Sequence, residues 1–244
     1  MIAEHVFGKV EKNFRWRAVE VTRLEGFSDA VFAFALTLLV VSLEVPKSYD
    51  ELIKVMKGFV AFGVCFALLA QVWVSHHRYF RRYGLQDGWA IFLNCVLLFV
   101  VLFYVYPLKF LWFSGLTGEQ IGVQEVRILL VIYGAGYAAV FLVFALLYQH
   151  AWKKRDELEL NALERLKTKQ SLADHIALAL IGLVSVSLAL LLPSRWVVAA
   201  GYFYFIIGVY FTLSGGMFGR QESRLKGSMN AGSAGSAEGA QGSG

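Results

Sequence analysis

Six blocks of apolar sequence, each about the length an α-helix needs to cross a bilayer core, constrain this chain more than any other feature. They fall at about 27–45, 58–77, 89–108, 127–149, 174–192 and 196–214. All are continuously apolar and lack the period of two that a membrane β-barrel strand requires. The expected fold class is therefore an all-α membrane protein with six transmembrane helices. Composition agrees, with 57% hydrophobic and 17% charged residues over 244 positions, against roughly 45–50% and about 25% in a soluble domain. That leaves too little polar surface to face water on all sides. Soluble enzyme, disordered protein and secreted disulfide scaffold are all disfavoured. The two cysteines, Cys65 and Cys95, lie inside apolar blocks, where cysteine mostly acts as a small hydrophobe.

Basic residues predict the orientation. With the N-terminus in the cytoplasm, the inner segments 1–26, 78–88, 150–173 and the C-terminal tail hold 17 of the 23 Lys and Arg. Short loops rich in Lys and Arg stay in the cytoplasm, so both termini are expected there. The implied organisation is a cytoplasmic segment 1–26, a six-helix transmembrane domain 27–215 and a flexible tail 216–244. Within it, 150–173 forms a charged, helical cytoplasmic linker. Residues 193–195 are too few for anything but an antiparallel hairpin between the last two spans. From about residue 227 the chain is rich in Gly, Ser and Ala, a composition that cannot build a core and that reads as a linker partly of engineered origin. No cleavable signal peptide is expected, because residues 1–20 hold no apolar run of the needed length.

No enzyme is expected, since the chain contains no GxSxG, HExxH or P-loop motif and no paired intramembrane aspartates. His76 and His77 are adjacent, hence about 100° apart around a helix, and make a poor two-ligand metal site. The informative segment is the first span. Phe34, Thr37, Leu38, Val41 and Glu44 follow helical spacing down one face, and Ala30 extends the stripe backwards. A small residue inside, a hydroxyl among bulky apolar groups and a carboxylate at the outer end suit a pore lining, because apolar constrictions gate by dewetting and acidic mouths concentrate cations. The spacing by itself fits packing against neighbouring helices equally, with Thr37 bonded to the carbonyl of Ala33, and packing is the simpler reading. A second constellation lies at span ends of similar depth: Asp29 in span one, Trp73, His76 and His77 in span two, and Asn94 in span three. Ionisable groups within a membrane are costly and either pair or mark function; a structural polar cluster is the simpler reading here.

The segment Arg23-Leu-Glu-Gly-Phe27-Ser28-Asp29, followed by AVFAFALTLLVVSLEVP, resembles the RxxxFSD signature that opens the first helix of the transmembrane protein 175 family, the endosomal/lysosomal potassium channels and their prokaryotic relatives. WVSHHRYF at 73–80 and the stretch from Asn94 to Pro107 resemble that family's second and third helices. The resemblance implies a potassium-selective leak channel, without a TVGYG filter, in the plasma membrane of a prokaryote. One FSD motif in the chain implies a one-repeat member that assembles as a homotetramer. The pore would be lined by the first helix of each subunit, with constrictions at Phe34, Leu38 and Val41 and a selectivity layer at Thr37, where a potassium ion would sit. Glu44 would lie at the outer mouth. Arg23, Ser28, Asp29, Trp73, His76, His77 and Asn94 would form a supporting polar network, with either histidine a candidate.

Phe34 departs from the Ile or Leu more usual at that constriction, so four phenyl rings would seal more tightly or swing aside as gates. No resident cofactor is expected beyond the permeant ion. The expected partners are further copies of the chain, potassium and the lipid bilayer, with no nucleic acid. The competing readings are a secondary transporter and a non-conducting membrane scaffold. The first would favour inverted repeats and Gly- or Pro-broken helices, neither of which is evident between residues 1–110 and 111–215.

Overall fold

The computed structural model describes residues 14–18, 20–41, 48–117 and 122–241; some helix side chains, including Val41 and those after Gly227, fall outside that description. Among the described residues all regular structure is helical. Six long helices, α1 (Arg23–Val41), α2 (Tyr49–Tyr83), α3 (Gly88–Thr117), α4 (Val123–Lys153), α5 (Ala162–Leu191) and α7 (Ile206–Gln241), are joined by one short helix, α6 (Ala199–Tyr202). Among the described residues four stretches are long and apolar enough to cross a membrane: Gly88–Val105, Val123–Lys153, Ala162–Leu191 and Ser194–Gly227. The other two expected spans belong to α1, which carries Arg23, Glu25 and Asp29 in its first two turns, and α2, whose 35 residues are about 52 Å long. This is a membrane protein.

Local chemistry explains where the helices begin and end. Thr22 and Glu25 bond reciprocally, each side chain accepting the other's backbone N–H at 3.0–3.2 Å, a capping box that starts α1. After α2, Gly84 takes the left-handed conformation (φ 62°) that glycine adopts without strain, and its N–H donates to the carbonyl of Phe80 at 2.8 Å. Asp87 then accepts the N–H of Ala90 at 2.9 Å at the start of α3. Asn161 and Glu164 form a second capping box. It starts α5 inside the charged segment, so residues 154–159 are turn and the rest of that segment runs without a break into the fifth apolar block.

The sixth block is not one continuous helix. Pro193 precedes a 3-10 turn at Ser194–Trp196; α6, a second 3-10 turn at Phe203–Phe205 and then α7 follow. The guanidinium of Arg127 on α4 covers this corner, donating to the carbonyls of Ala189, Leu190 and Leu192 at 2.6, 3.1 and 2.9 Å. These belong to the last turn of α5 and have no partner within the helix. The hairpin itself is antiparallel: Ser185 donates to Ala200, while Tyr210 and Ser214 both donate to Asp174 at 2.9 Å.

Helices α4 and α5 pack most closely. A Cβ added to Gly134 would lie 2.6 Å from Val186 Cγ2 and one added to Gly182 3.0 Å from Ala138, so glycine is what permits the approach. The main core gathers Phe32, Ala35 and Leu39 of α1 with Phe80 of α2, Leu97 of α3 and Leu147 of α4. A smaller cluster of Leu130, Ala189, Val197 and Ala200 lies under the α5–α6 corner.

Candidate pore face and its polar support

Helix α1 has two faces with opposite environments. Glu25, Ser28, Phe32, Ala35 and Leu39, spaced three and four residues apart, are buried against α2 and α3. The opposite face presents Phe27, Ala30, Ala33, Phe34, Thr37 and Val40, all exposed, with Phe34 at 56%. Leu38 is half-buried at the edge of this face. The Thr37 hydroxyl donates to the carbonyl of Ala33 at 2.9 Å. The side chain of Val41, and Glu44 altogether, lie outside the described residues. A helix of a monomeric bundle would not leave Phe34 and its neighbours uncovered on the side away from the core unless lipid or another chain met them.

Behind this face runs a buried chain of hydrogen bonds. Ser28 Oγ donates to the carbonyl of Leu24 at 2.8 Å and accepts from Asn94 Nδ2 at 2.9 Å. Asn94 Oδ1 then lies 2.8 Å from His76 Nε2. Since Asn94 spends its amide on Ser28, its oxygen accepts and His76 donates from Nε2. Ser28 and Asn94 are fully buried and His76 nearly so, so each bond also removes a desolvation penalty. The chain ties α1, α2 and α3 together at one depth. A separate bond joins Trp73 Nε1 to Asp29 Oδ1 at 2.7 Å. His77 takes no part in the buried chain; its ring stacks on Trp73 at 5.7 Å and meets Trp16 edge-on. Arg23 is exposed and forms no side-chain bond to another described residue.

Glu25, not singled out by spacing, is the charged group that is buried here. It closes the α1 capping box and lies 3.6 Å from Arg81, whose guanidinium also donates to the carbonyl of Ala18 at 3.0 Å. The T-x-x-E pattern at 22–25 was the available signal. Residues 14–18 form a strap on the same side. Arg17 donates to Glu164 Oε2 at 2.9 Å and to the carbonyl of Leu158 at 2.9 Å, and the Arg15 N–H donates to Glu164 Oε1. The Arg17 guanidinium and the N–H groups of Arg15 and Asn161 thus satisfy the Glu164 carboxylate. Nearby, Asp87 meets His150 at 2.8 Å and Lys154 at 3.2 Å. Burial works upward on its pKa, yet the Ala90 N–H, His150 and Lys154 bring Asp87 down to about 2. Among the described residues no group of three or more His, Cys, Asp or Glu could hold a metal ion.

The family model described as endosomal/lysosomal potassium channel TMEM175 matches residues 23–104, which run from the start of α1 through most of α3. A curated relative named a potassium channel, from Marivirga tractuosa, is 37% identical over 242 residues, covering 92% of this chain and 98% of the relative. The chain belongs to the TMEM175 family. A second relative named a potassium channel, from Chamaesiphon minutus, is 30% identical over 80% of this chain and 94% of its own. Among solved structures, a variant of the potassium channel MtTMEM175 in complex with a nanobody fusion matches at a TM-score of 0.73 and 37% identity, over 87% of this chain and 97% of that one. A lysosomal potassium-selective channel TMEM175 homologue from Chamaesiphon minutus matches at 0.56 and 29% identity, over 78% and 95%. The TMEM175 match thus falls on the part of this chain that carries the exposed α1 face and the Ser28–Asn94–His76 chain.

Proposed function

We propose that this protein is a potassium-selective, leak-type cation channel whose pore is lined by α1 from four subunits. The observation that carries the reading is the uncovered face of α1: Ala30, Phe34 and Thr37 point away from a fully packed opposite face. One chain supplies one such stripe, and a ring that closes about an axis needs several copies. The family relatives named potassium channels support the ion.

Phe34, Leu38 and Val41 form the apolar constrictions, and Thr37 the polar layer between them. The Thr37 hydroxyl spends its only proton on Ala33, which leaves its oxygen as an acceptor for a cation or for the water around it. Four such oxygens beside a narrow apolar ring favour potassium over sodium, because the larger ion sheds its hydration shell at lower cost. Glu44 raises cation concentration at the outer mouth. The Ser28–Asn94–His76 chain and the Trp73–Asp29 bond hold α1 in register and do not touch the ion. Both termini face the cytoplasm of a prokaryotic cell, and the chain resides in the plasma membrane.

Passive potassium flux into proteoliposomes of the purified protein tests this reading, together with native mass spectrometry for the tetramer. Rapid, non-saturating flux is expected. Coupled or saturable transport, or none, contradicts it.

A further inference from the structure

A cavity of about 370 Å³ opens where α4 leaves its apolar block, within the range of small-ligand sites. Trp152, Arg155, Arg165, Leu166 and Lys169 line it with Leu225 of α7, and it is open to the surface. Its depth follows from the ends of the fourth and fifth apolar blocks, near residues 149 and 174. Trp152 lies about 4.5 Å beyond residue 149 and Lys169 about 7.5 Å before residue 174, at 1.5 Å per residue. Counted from those block ends, Trp152 lies within the head-group band, about 5–7.5 Å deep on each side of the hydrocarbon core, the level tryptophan prefers, and Lys169 lies at its outer edge.

The walls carry three cations and are short of carboxylates. Asp156 is the acid that meets them, at 2.6 Å from Arg165 and 3.6 Å from Arg155. The remaining acids of this region are held elsewhere: Glu157 by Lys154, Glu159 by Arg15, Glu164 by Arg17 and Glu222 by Lys226. Lys169 has no carboxylate partner among the described residues. Its Nζ lies 4.8 Å from the Trp152 ring centre, and Arg155 Cζ lies 5.1 Å from the same ring, so the indole gathers two like charges. Arg165 is oriented by the carbonyl of Leu160 at 2.8 Å and by Asp156.

We propose that this cavity binds a phosphate-bearing anion, and its depth favours the head group of an anionic phospholipid over a soluble phosphate. A phosphodiester offers unesterified oxygens to Lys169 and Arg165 and offsets the excess positive charge. Leu166 and Leu225 give the adjoining glycerol and acyl chain apolar contact. Basic pockets between membrane helices take acidic head groups on these terms. The bound lipid would join α4, α5 and α7 through one ligand, a role independent of what the α1 face conducts.

The purified protein, incubated with phosphatidylglycerol or phosphatidylcholine and examined by native mass spectrometry, tests the proposal. Wild type should retain phosphatidylglycerol preferentially. Lys169→Ala should lower that retention about fivefold, the effect of one cation near a lipid surface, and Lys169→Glu further, while Arg220→Glu, an exposed charge on α7, should leave it unchanged. Lys169 is exposed, so lipid-free melting of its variants should match wild type. A parallel arm uses pyrophosphate. A rise in melting temperature with pyrophosphate that Lys169→Glu abolishes, without any preference for phosphatidylglycerol over phosphatidylcholine, keeps the anion site and makes its ligand soluble. Equal retention in wild type and Lys169→Glu, or an equal loss in Arg220→Glu, with no Lys169-dependent effect of pyrophosphate, overturns the site.

Discussion

The indole N–H of Trp73 donates to the Asp29 carboxylate at 2.7 Å, fixing the rotation of α1 against α2 about 7.5 Å along the axis from Phe34. Because the carboxylate is exposed, the bond is worth little more than an ordinary hydrogen bond. Trp73→Phe should lower thermal stability by about 1 kcal/mol and Asp29→Asn by less, since the amide oxygen still accepts. Selectivity should hold in both. Melting temperature and reversal potential measured on the same preparations check this, and an Asp29→Asn variant with altered selectivity and unchanged melting would contradict a supporting role.

Asn94 is the more critical residue. Asn94→Ala leaves His76 Nε2 without its acceptor and the Ser28 oxygen without its donor in a buried site, at a cost of roughly 3 kcal/mol. His77→Ala removes only ring contacts, about 1 kcal/mol or less. Thermal melting in detergent distinguishes the two histidine environments, and equal losses for His76→Ala and His77→Ala would contradict the assignment.

This pair marks where sequence reasoning stops. Helical spacing places Trp73, His76 and His77 at one end of one helix, but which ring turns inward depends on how α2 docks on α1 and α3, a tertiary fact. The stripe from Ala30 through Phe34, Thr37, Leu38 and Val41 to Glu44 could be read because its period is that of the helix; Ala30, Phe34 and Thr37 of it are exposed and Leu38 is half-buried. Glu25 belongs to a recognisable capping box, but its partner Arg81 lies 56 residues away, beyond any local pattern. The start of α5 at Asn161 was likewise written in its capping box, whereas the break of the sixth block into α6 and α7 follows from the packing around Val197 and Ala200.

The Arg17–Glu164 pair should be costly to break from one side. Arg17→Ala leaves a carboxylate that is 1% exposed without its cation, a loss of about 3 kcal/mol, and Glu164→Gln should lose less because glutamine preserves the α5 capping box. Comparative thermal unfolding of the two variants checks the order.

Stability should also fall in acid. Asp87 has a pKa below that of the unfolded chain, so the unfolded state binds more protons as pH drops. Its contribution is complete above the usual carboxylate value of about 4 and is lost as pH falls to about 2. An Asp87→Asn variant should flatten the melting profile over that window. A profile as steep as that of wild type would contradict the pairing.

Phe34→Ala should widen the constriction and raise the potassium flux several-fold without loss of assembly, whereas Ala35→Phe on the buried face should disrupt folding through overpacking. Proteoliposome flux and native mass spectrometry read the two effects separately. A Phe34→Ala flux at or below wild type would remove this ring from the conduction path.

The most direct test is the reversal potential of wild type and Thr37→Ala under opposed potassium and sodium gradients. Thr37 contributes the one hydroxyl of the exposed stripe, with its proton committed to Ala33 and its oxygen free to accept. The expected result is a potassium-selective wild type and a Thr37→Ala channel that still conducts, with its reversal potential displaced toward zero. An identical reversal potential in the two proteins would show that the α1 face does not select the ion.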